Sequence, residues 1–493
     1  MEQTKRKFLK NMVGFSLTTW IGFAIGFLAT PIATRLFVPE ELVKVGLFST
    51  YATLFASFCY LGLDQAYVRF FREPPGGATR SGLLTFCTVT SVGVSVLVAL
   101  GMTVWWQGLS AQVLGVPDAG VFICLCLYSV ATVLFRYLSL NYRMEQNATL
   151  YTVQGVAQVL FTKVAYLAVG FGQAKARPAI LTLTALMGGL TLLFAVLQRR
   201  QFLRGFAREA SRPFRREVWT FAAPLAPLTV ITWLNASVST LALRNLLSFE
   251  SAGIYSAALG LAATVNVIQT GFNTYWAPYV YEHYQQDDRS RFDTVHRLMA
   301  CLLTGFGMTI TLLQAVVFLL LGAKYRGSVV YFPFLFLAPI CYCLSETTGM
   351  GIGIAKKSYW NTLLFLVSAV VNLGLCYVLI PLWGGTGAAV AAAAAVISLV
   401  LRTVIGERYY RAIASFRYVG YTVGLMLAAS VGNALLNSLP GWKYVFLSAL
   451  YALALWLFRA ELQTLLRTAG QLLRTAKDTL KRRRSNTHEG EHT

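Results

Sequence analysis

The run YWNTLLFLVSAVVNLGLCYVLIPLWGGTGAAVAAAAAVISLVL, residues 359–401, carries no charged side chain. As one straight helix it would extend roughly 64 Å at 1.5 Å per residue, about twice the ~30 Å of hydrocarbon in a bilayer. Gly384 and Gly385 stand near its middle, where a turn is needed. It therefore reads as two membrane-spanning helices, 359–382 and 386–405. The same reading carried outward gives twelve further apolar stretches, near 12–36, 44–64, 82–106, 119–140, 150–172, 179–198, 218–242, 252–274, 298–321, 328–348, 417–437 and 442–458. With 56% hydrophobic residues, 13% charged residues and a mean hydropathy of +0.58, the whole chain has the composition of a bilayer protein. The expected fold class is all-α integral membrane, with about 14 transmembrane helices.

The longest connections, near 199–217 and 277–297, are too short for an independent domain, so function must reside among the helices. Lys5, Arg6, Lys7 and Lys10 precede an apolar run that continues past signal-peptide length, and it reads as an uncleaved first span. Of the 42 Lys and Arg, 33 are assigned to the N-terminus, alternate gaps and the tail, and eight to the intervening gaps. That bias predicts cytoplasmic termini and accounts for the formal charge of +22, because basic loops face anionic lipid. No basic loop is joined to a folded reader or aromatic platform, so nucleic acid is not an expected partner. The eight Cys fall in or beside spans and read as packing residues. Neither they nor the four His have metal-ligand spacing, so no metal or cofactor is expected.

Landmarks recur at an offset of about 207–214 residues. Arg35 followed by Gly46-Leu47-Phe48-Ser49 is matched by Arg244 followed by Gly253-Ile254-Tyr255-Ser256, and Arg143 with Asn147 by Lys357 with Asn361. Two copies of six spans share one orientation, which predicts two lobes, residues 1–205 and 206–412, around a central cavity. Spans thirteen and fourteen, within 413–458, are an appendage. Residues 459–493 follow as an amphipathic basic tail, with Leu462, Leu465, Leu466, Leu472 and Leu473 at helical spacing and Lys481 to Arg484 beyond.

A charge at membrane depth costs about 3 kcal/mol on insertion scales unless it is paired or hydrated, so each one requires a reason. Lys163 lies about thirteen residues into span five, near mid-depth. It reads as a cavity-facing cation for an anionic substrate group, or as half of an ion pair with Glu346 or Asp64. Arg35 and Arg244 hold matching places at the outer ends of spans one and seven, as interface anchors or as the flanks of one outer mouth. Asp64 and Arg69 form a local headgroup ion pair, or else Asp64 serves an ion site or inner gate. Glu346 lies beside Gly349, Gly351 and Gly353, which either loosen the helix or let it pack closely. Asn235, Asn266 and Trp276, with Gln269, Asn273 and Tyr275, suit sugar hydroxyls and ring faces or interhelical hydrogen bonds. No nucleophile elbow or phosphate loop is present, so catalysis is not expected.

Three stretches carry a resemblance: Thr30-Pro31-Ile32-Ala33-Thr34-Arg35-Leu36-Phe37-x-Pro39-Glu40, then Gly46-Leu47-Phe48-Ser49, then Leu61-Gly62-Leu63-Asp64-Gln65-Ala66-x-x-Arg69-Phe70-Phe71. The chain resembles the Wzx-type polysaccharide-biosynthesis flippases, in the superfamily that also holds multidrug extruders and the lipid II flippase. The resemblance implies two six-helix lobes forming a V-shaped central cavity plus two extra C-terminal helices that line a groove for a lipid tail. It also implies transport of an undecaprenyl-diphosphate-linked oligosaccharide between leaflets of the bacterial cytoplasmic membrane, with membrane lipid, a polysaccharide polymerase and glycosyltransferases as partners. Members often carry an acidic residue just before the position of Arg244, where this chain has Leu243. A drug or small-cation antiporter of the same fold is the second expectation, disfavoured by Lys163. A membrane glycosyltransferase is the third, disfavoured by the short loops.

Overall fold

The computed structural model describes residues 20–206, 212–284, 289–355, 357, 359–411 and 413–467, and among them there are helices and loops but no strand. The principal helices are α1 (Trp20–Leu36), α2 (Pro39–Tyr60), α3 (Leu63–Phe70), α4 (Arg80–Met102), α5 (Ala119–Met144), α6 (Ala148–Lys163), α7 (Ala176–Phe206), α8 (Arg212–Ala222) and α9 (Ala226–Leu246). They continue with α10 (Phe249–Ala262), α11 (Val265–His283), α12 (Arg289–Leu312), α13 (Leu337–Thr348), α14 (Tyr359–Ala392), α15 (Ala395–Tyr409), α16 (Arg417–Leu435), α17 (Pro440–Leu457) and α18 (Arg459–Arg467).

Among the described residues, nine helical stretches are long and apolar enough to cross a membrane, or up to eleven if two bent pairs each count as one span. The chain is a multi-pass membrane protein. The count differs from the expected fourteen at three places. α1 is described only from Trp20, and α10 and α11 are separated by a break at Ala263 and Thr264. Tyr359–Tyr409 counts as one 51-residue stretch, but Gly384 inside it has φ 56°. A Cβ on Gly387 would collide with the Leu379 carbonyl. Eight residues of straight helix separate two groups by about 12 Å, so this approach means that the chain doubles back at Gly384. The bend of 72° between α17 and α18 turns the start of the tail away from the last span. The rest of the expected amphipathic tail lies outside the described residues.

Side-chain caps set several helix starts. Thr79 accepts from the Gly82 amide (3.1 Å), Asp118 from Val121 (3.0 Å) and Asn147 from Leu150 (3.1 Å). Burial works against the charge of Asp118, but the Val121 amide and the Arg177 guanidinium at 2.7 Å outweigh it and hold its carboxyl below the ordinary range. α2 stops at Leu61 and Gly62, both left-handed (φ 49° and 75°), and a Cβ on Gly62 would strike the Ala222 carbonyl at the end of α8. Glycine therefore permits both the turn and the close approach, and the turn carries Asp64 into the first turn of α3.

By contacts the chain divides into two units. The first runs to Phe272 and includes Val316–Val329 and Tyr359–Ala394; the second holds Asn273–Ala315, Val330–Ser358 and the chain from Ala395. The first unit has one core of Phe37, Phe48, Tyr128, Phe135, Leu183 and Phe194, joining α2, α5 and α7. A second core, around Tyr67, Tyr137, Phe214 and Val218, brings α3 and α8 together. The second unit packs on small residues. Gly307 receives Met426, Gly351 abuts the Gly406 carbonyl and Gly432 lies against Phe446. Buried hydroxyl and amide pairs add to this: Thr304 donates to Thr422 (2.9 Å), Thr348 and Thr403 share a bond of 2.7 Å, and Gln314 donates to Asn433 (2.7 Å).

Candidate functional site

Seven of the nine expected site residues lie in the first unit and two, Trp276 and Glu346, in the second. Arg35 and Arg244 sit at the same end of the first unit. Arg244 is half-buried and donates to the Ala111 carbonyl (2.8 Å) and to Gln112 Oε1 (2.7 Å), and it stands 4.9 Å from the Phe249 ring. Arg35 remains exposed, and Nη2 reaches the Leu319 carbonyl at 3.5 Å. Around them, Tyr325 donates to the Phe37 carbonyl (2.9 Å), the Gly322 amide donates to Thr34 (3.2 Å), and the Ala176 amide donates to Glu41 (2.6 Å). Helix ends far apart in sequence are thus tied together here.

Lys163 is the last residue of α6, where the helix gives way to a 3-10 turn over Ala165–Phe171. The break frees main-chain carbonyls, and a cation suits that negative helix end. Its side chain is exposed and makes no ion pair or hydrogen bond among the described residues. Both anticipated partners are engaged elsewhere. Asp64, buried at 8% exposure, accepts from Arg136 Nη2 at 3.1 Å and from Gln65 at 2.9 Å, whereas Arg69 is exposed over the Phe70 ring. Glu346 takes both terminal nitrogens of Arg402, at 3.1 and 3.4 Å, and Arg402 also donates to Ser345 (2.8 Å).

Arg136 and Arg402 were missed in the sequence reading, which assigned both to cytoplasmic gaps. They lie inside α5 and α15, spans that the apolar runs already outlined. The missing signal was pairing: each is an in-span cation whose counter-charge, Asp64 or Glu346, had been noticed alone. Arg136 and Glu346 are also 210 positions apart, within the offset at which the sequence landmarks recur, and each is one member of an ion pair.

The polar set is divided in role. Asn235 donates to the Phe365 carbonyl at 2.6 Å, joining α9 to α14. Trp276 is buried and donates to the Glu346 carbonyl at 3.1 Å. Asn266 is exposed just after the break between α10 and α11. Gly349 lies against the Arg402 side chain and Gly351 against Gly406, so these glycines serve close packing. No cluster of residues able to hold a metal is found among the described residues.

The sequence model for polysaccharide biosynthesis proteins matches residues 8–284, more than half of the chain. The chain belongs to the polysaccharide biosynthesis protein family. Its fold is similar to that of the lipid II flippase MurJ in an inward closed conformation, with a TM-score of 0.64 at 12% identity, over 92% of this chain and 99% of that one. It is also similar to a multidrug resistance MATE transporter in the inward-facing conformation (TM-score 0.56, 14% identity, 78% of this chain and 94% of that one). The outward-facing conformation of such a transporter gives 0.51 at 16% identity, over 81% and 95%. No curated relative matches the chain. Family membership rests on residues 8–284, which contain Arg35, Arg244, Lys163 and the Asp64–Arg136 pair.

Proposed function

We propose that this protein moves an undecaprenyl-diphosphate-linked oligosaccharide from the inner to the outer leaflet of the bacterial cytoplasmic membrane by alternating access, with both termini cytoplasmic. The observation that carries the reading is Lys163, a cation at the end of α6 within the span, with no counter-ion among the described residues. An anionic diphosphate supplies the missing charge, and Arg136, held by buried Asp64 but 41% exposed itself, supplies a second cation on the same unit. Arg69 and exposed Asn266 extend the polar lining toward sugar hydroxyls, and the polyprenyl tail stays in lipid. Asp64 and Glu346 are the carboxylates whose protonation or cation binding would couple the cycle or gate it. Membrane potential suffices as a drive, since an anion moving outward gains about 2.3 kcal/mol per charge per 100 mV. Outward opening must break the ties of Arg244 to Ala111 and Gln112. Glycosyltransferases build the cargo and a polymerase receives it.

The test compares inner-leaflet lipid-diphosphate-linked oligosaccharide in cells lacking the protein with cells carrying wild type or Lys163→Ala at equal expression. Accumulation is expected in the null strain and with Lys163→Ala. Normal levels in the null strain together with altered drug resistance would replace this reading with the antiporter.

A further inference from the structure

A second polar cavity opens in the first unit at the end that carries the basic loops. It occupies about 480 Å3 between the start of α4 and the ends of α5 and α7. Arg72, Arg80 and Ser81 line one side, and Asn141, Glu145 and Gln201 line the other. Its floor is a continuous hydrogen-bond network. Tyr67 donates to Asn141 Oδ1 (3.0 Å), the Asn141 amide donates to Gln198 (2.8 Å) and to Gln201, and Gln201 Nε2 donates to Glu145 Oε1 (2.9 Å). The network fixes Glu145 through one oxygen only, which leaves the other to accept from a ligand.

The two arginines differ from Arg136 and Arg402 in having no carboxylate partner among the described residues. Arg80 lies 5.1 Å from the Phe71 ring, a contact that orients the guanidinium without neutralising it. At the rim stands Gln146, with φ 57°. Its amide donates to the Arg143 carbonyl and that of Asn147 to Tyr142, the paired bonds of a helix end that favours glycine. This chain keeps a side chain there, facing the cavity, against backbone preference.

We propose that this cavity binds a phosphate ester bearing hydroxyl groups: the two guanidiniums take the phosphate, and Glu145 with the amides takes the hydroxyls. Its volume suits a small organic headgroup rather than a bare ion. The ligand is either the phosphoglycerol headgroup of an anionic lipid or a free sugar or glycerol phosphate. The site does not depend on the flippase reading.

The test uses the full chain in detergent with sn-glycerol 3-phosphate as probe, at constant ionic strength, beside native mass spectrometry of protein taken from phosphatidylglycerol or phosphatidylcholine vesicles. Wild type should bind the probe saturably or retain phosphatidylglycerol over phosphatidylcholine, and Arg72→Ala with Arg80→Ala should weaken either at least tenfold. Retention of lipid marks the headgroup as ligand, and probe binding without retention marks the free ester. Gln146→Gly should raise the unfolding temperature while weakening binding, which separates the site from folding. Equal behaviour of wild type and the double variant toward both probes overturns the proposal.

Discussion

Arg136 and Glu346 stand 210 positions apart, within the offset at which sequence landmarks recur, yet carry opposite charge, and their surroundings differ. In the first unit the carboxylate of the pair, Asp64, is buried at 8% exposure and held by Gln65 as well, while Arg136 is 41% exposed. In the second unit Arg402 and Glu346 are both largely enclosed, at 14% and 25%, and are joined by two bonds with Ser345 as a third partner. An arginine with an open face can meet a second anion without first losing its partner; an enclosed pair has no such freedom and acts as a strut between α13 and α15. The two pairs thus differ in how much of the arginine stays open: a large share of Arg136 and little of Arg402.

The largest effect should come from breaking the strut. Arg402→Ala leaves Glu346 enclosed without its cation, and removal of one partner from a buried pair costs about 3–5 kcal/mol. Unfolding in detergent should show a loss of that order, partly restored by adding Glu346→Gln. The two units part when the carboxylate is removed instead: Glu346→Gln strands the enclosed Arg402, whereas Asp64→Asn leaves Arg136, 41% exposed, within reach of solvent at a cost of about 1 kcal/mol. Equal losses in these two variants would falsify the contrast. Next in size is Lys163→Ala, which removes an exposed cation with no partner to strand. Loss of a charged contact of about 1.5–3 kcal/mol corresponds to roughly a 10- to 150-fold fall in transport, with unfolding unchanged and with Lys163→Arg retaining most activity. A parallel fall in stability would make Lys163 structural and remove it as a cation for substrate.

The ties around Arg35 and Arg244 offer a smaller effect. Tyr325→Phe deletes the bond to the Phe37 carbonyl, worth about 1 kcal/mol, or roughly a fivefold change in an opening equilibrium. A cysteine introduced at buried Ala33 should then react about fivefold faster with a membrane-impermeant thiol reagent, over the low background of native cysteines that are buried or half-buried. No change would mean that this end does not open by releasing Tyr325.

The helices were legible because bilayer thickness imposes a length on apolar runs, and the turn at Gly384 was legible because Gly384 and Gly385 stand near the middle of a charge-free run too long for one span. Individual charges were legible for the same reason, since Lys163, Asp64 and Glu346 interrupt apolar sequence. Their partners were not. Asp64 meets Arg136 across 72 positions and Glu346 meets Arg402 across 56, and no local spacing encodes such distances. Asn235 and Trp276 show the same limit: an amide suited to a sugar and one that joins two helices look identical until the Phe365 and Glu346 carbonyls are seen beside them.

The Asp118–Arg177 pair sharpens the comparison from outside the spans, because it couples a helix cap to a cation that is 60% exposed. Asp118 caps α5 through the Val121 amide; burial is the largest single influence and raises its carboxyl, but the Val121 and Gly120 amides and Arg177 together outweigh it and hold the carboxyl below the ordinary range. A carboxyl whose folded value is depressed stabilises the fold above its unfolded value near 3.9 and loses that contribution as pH falls through the folded value. Wild type should therefore lose this contribution only below about pH 4, and Asp118→Ala should lack it throughout the neutral range, at about 1 kcal/mol for a helix cap. Arg177→Ala should cost less, since the Val121 amide remains and an exposed ion pair contributes about 0–1 kcal/mol. Unfolding of the three proteins between pH 3 and 7 distinguishes cap from pair: a loss with Arg177→Ala as large as with Asp118→Ala would mean that even at the surface this chain depends on its ion pairs.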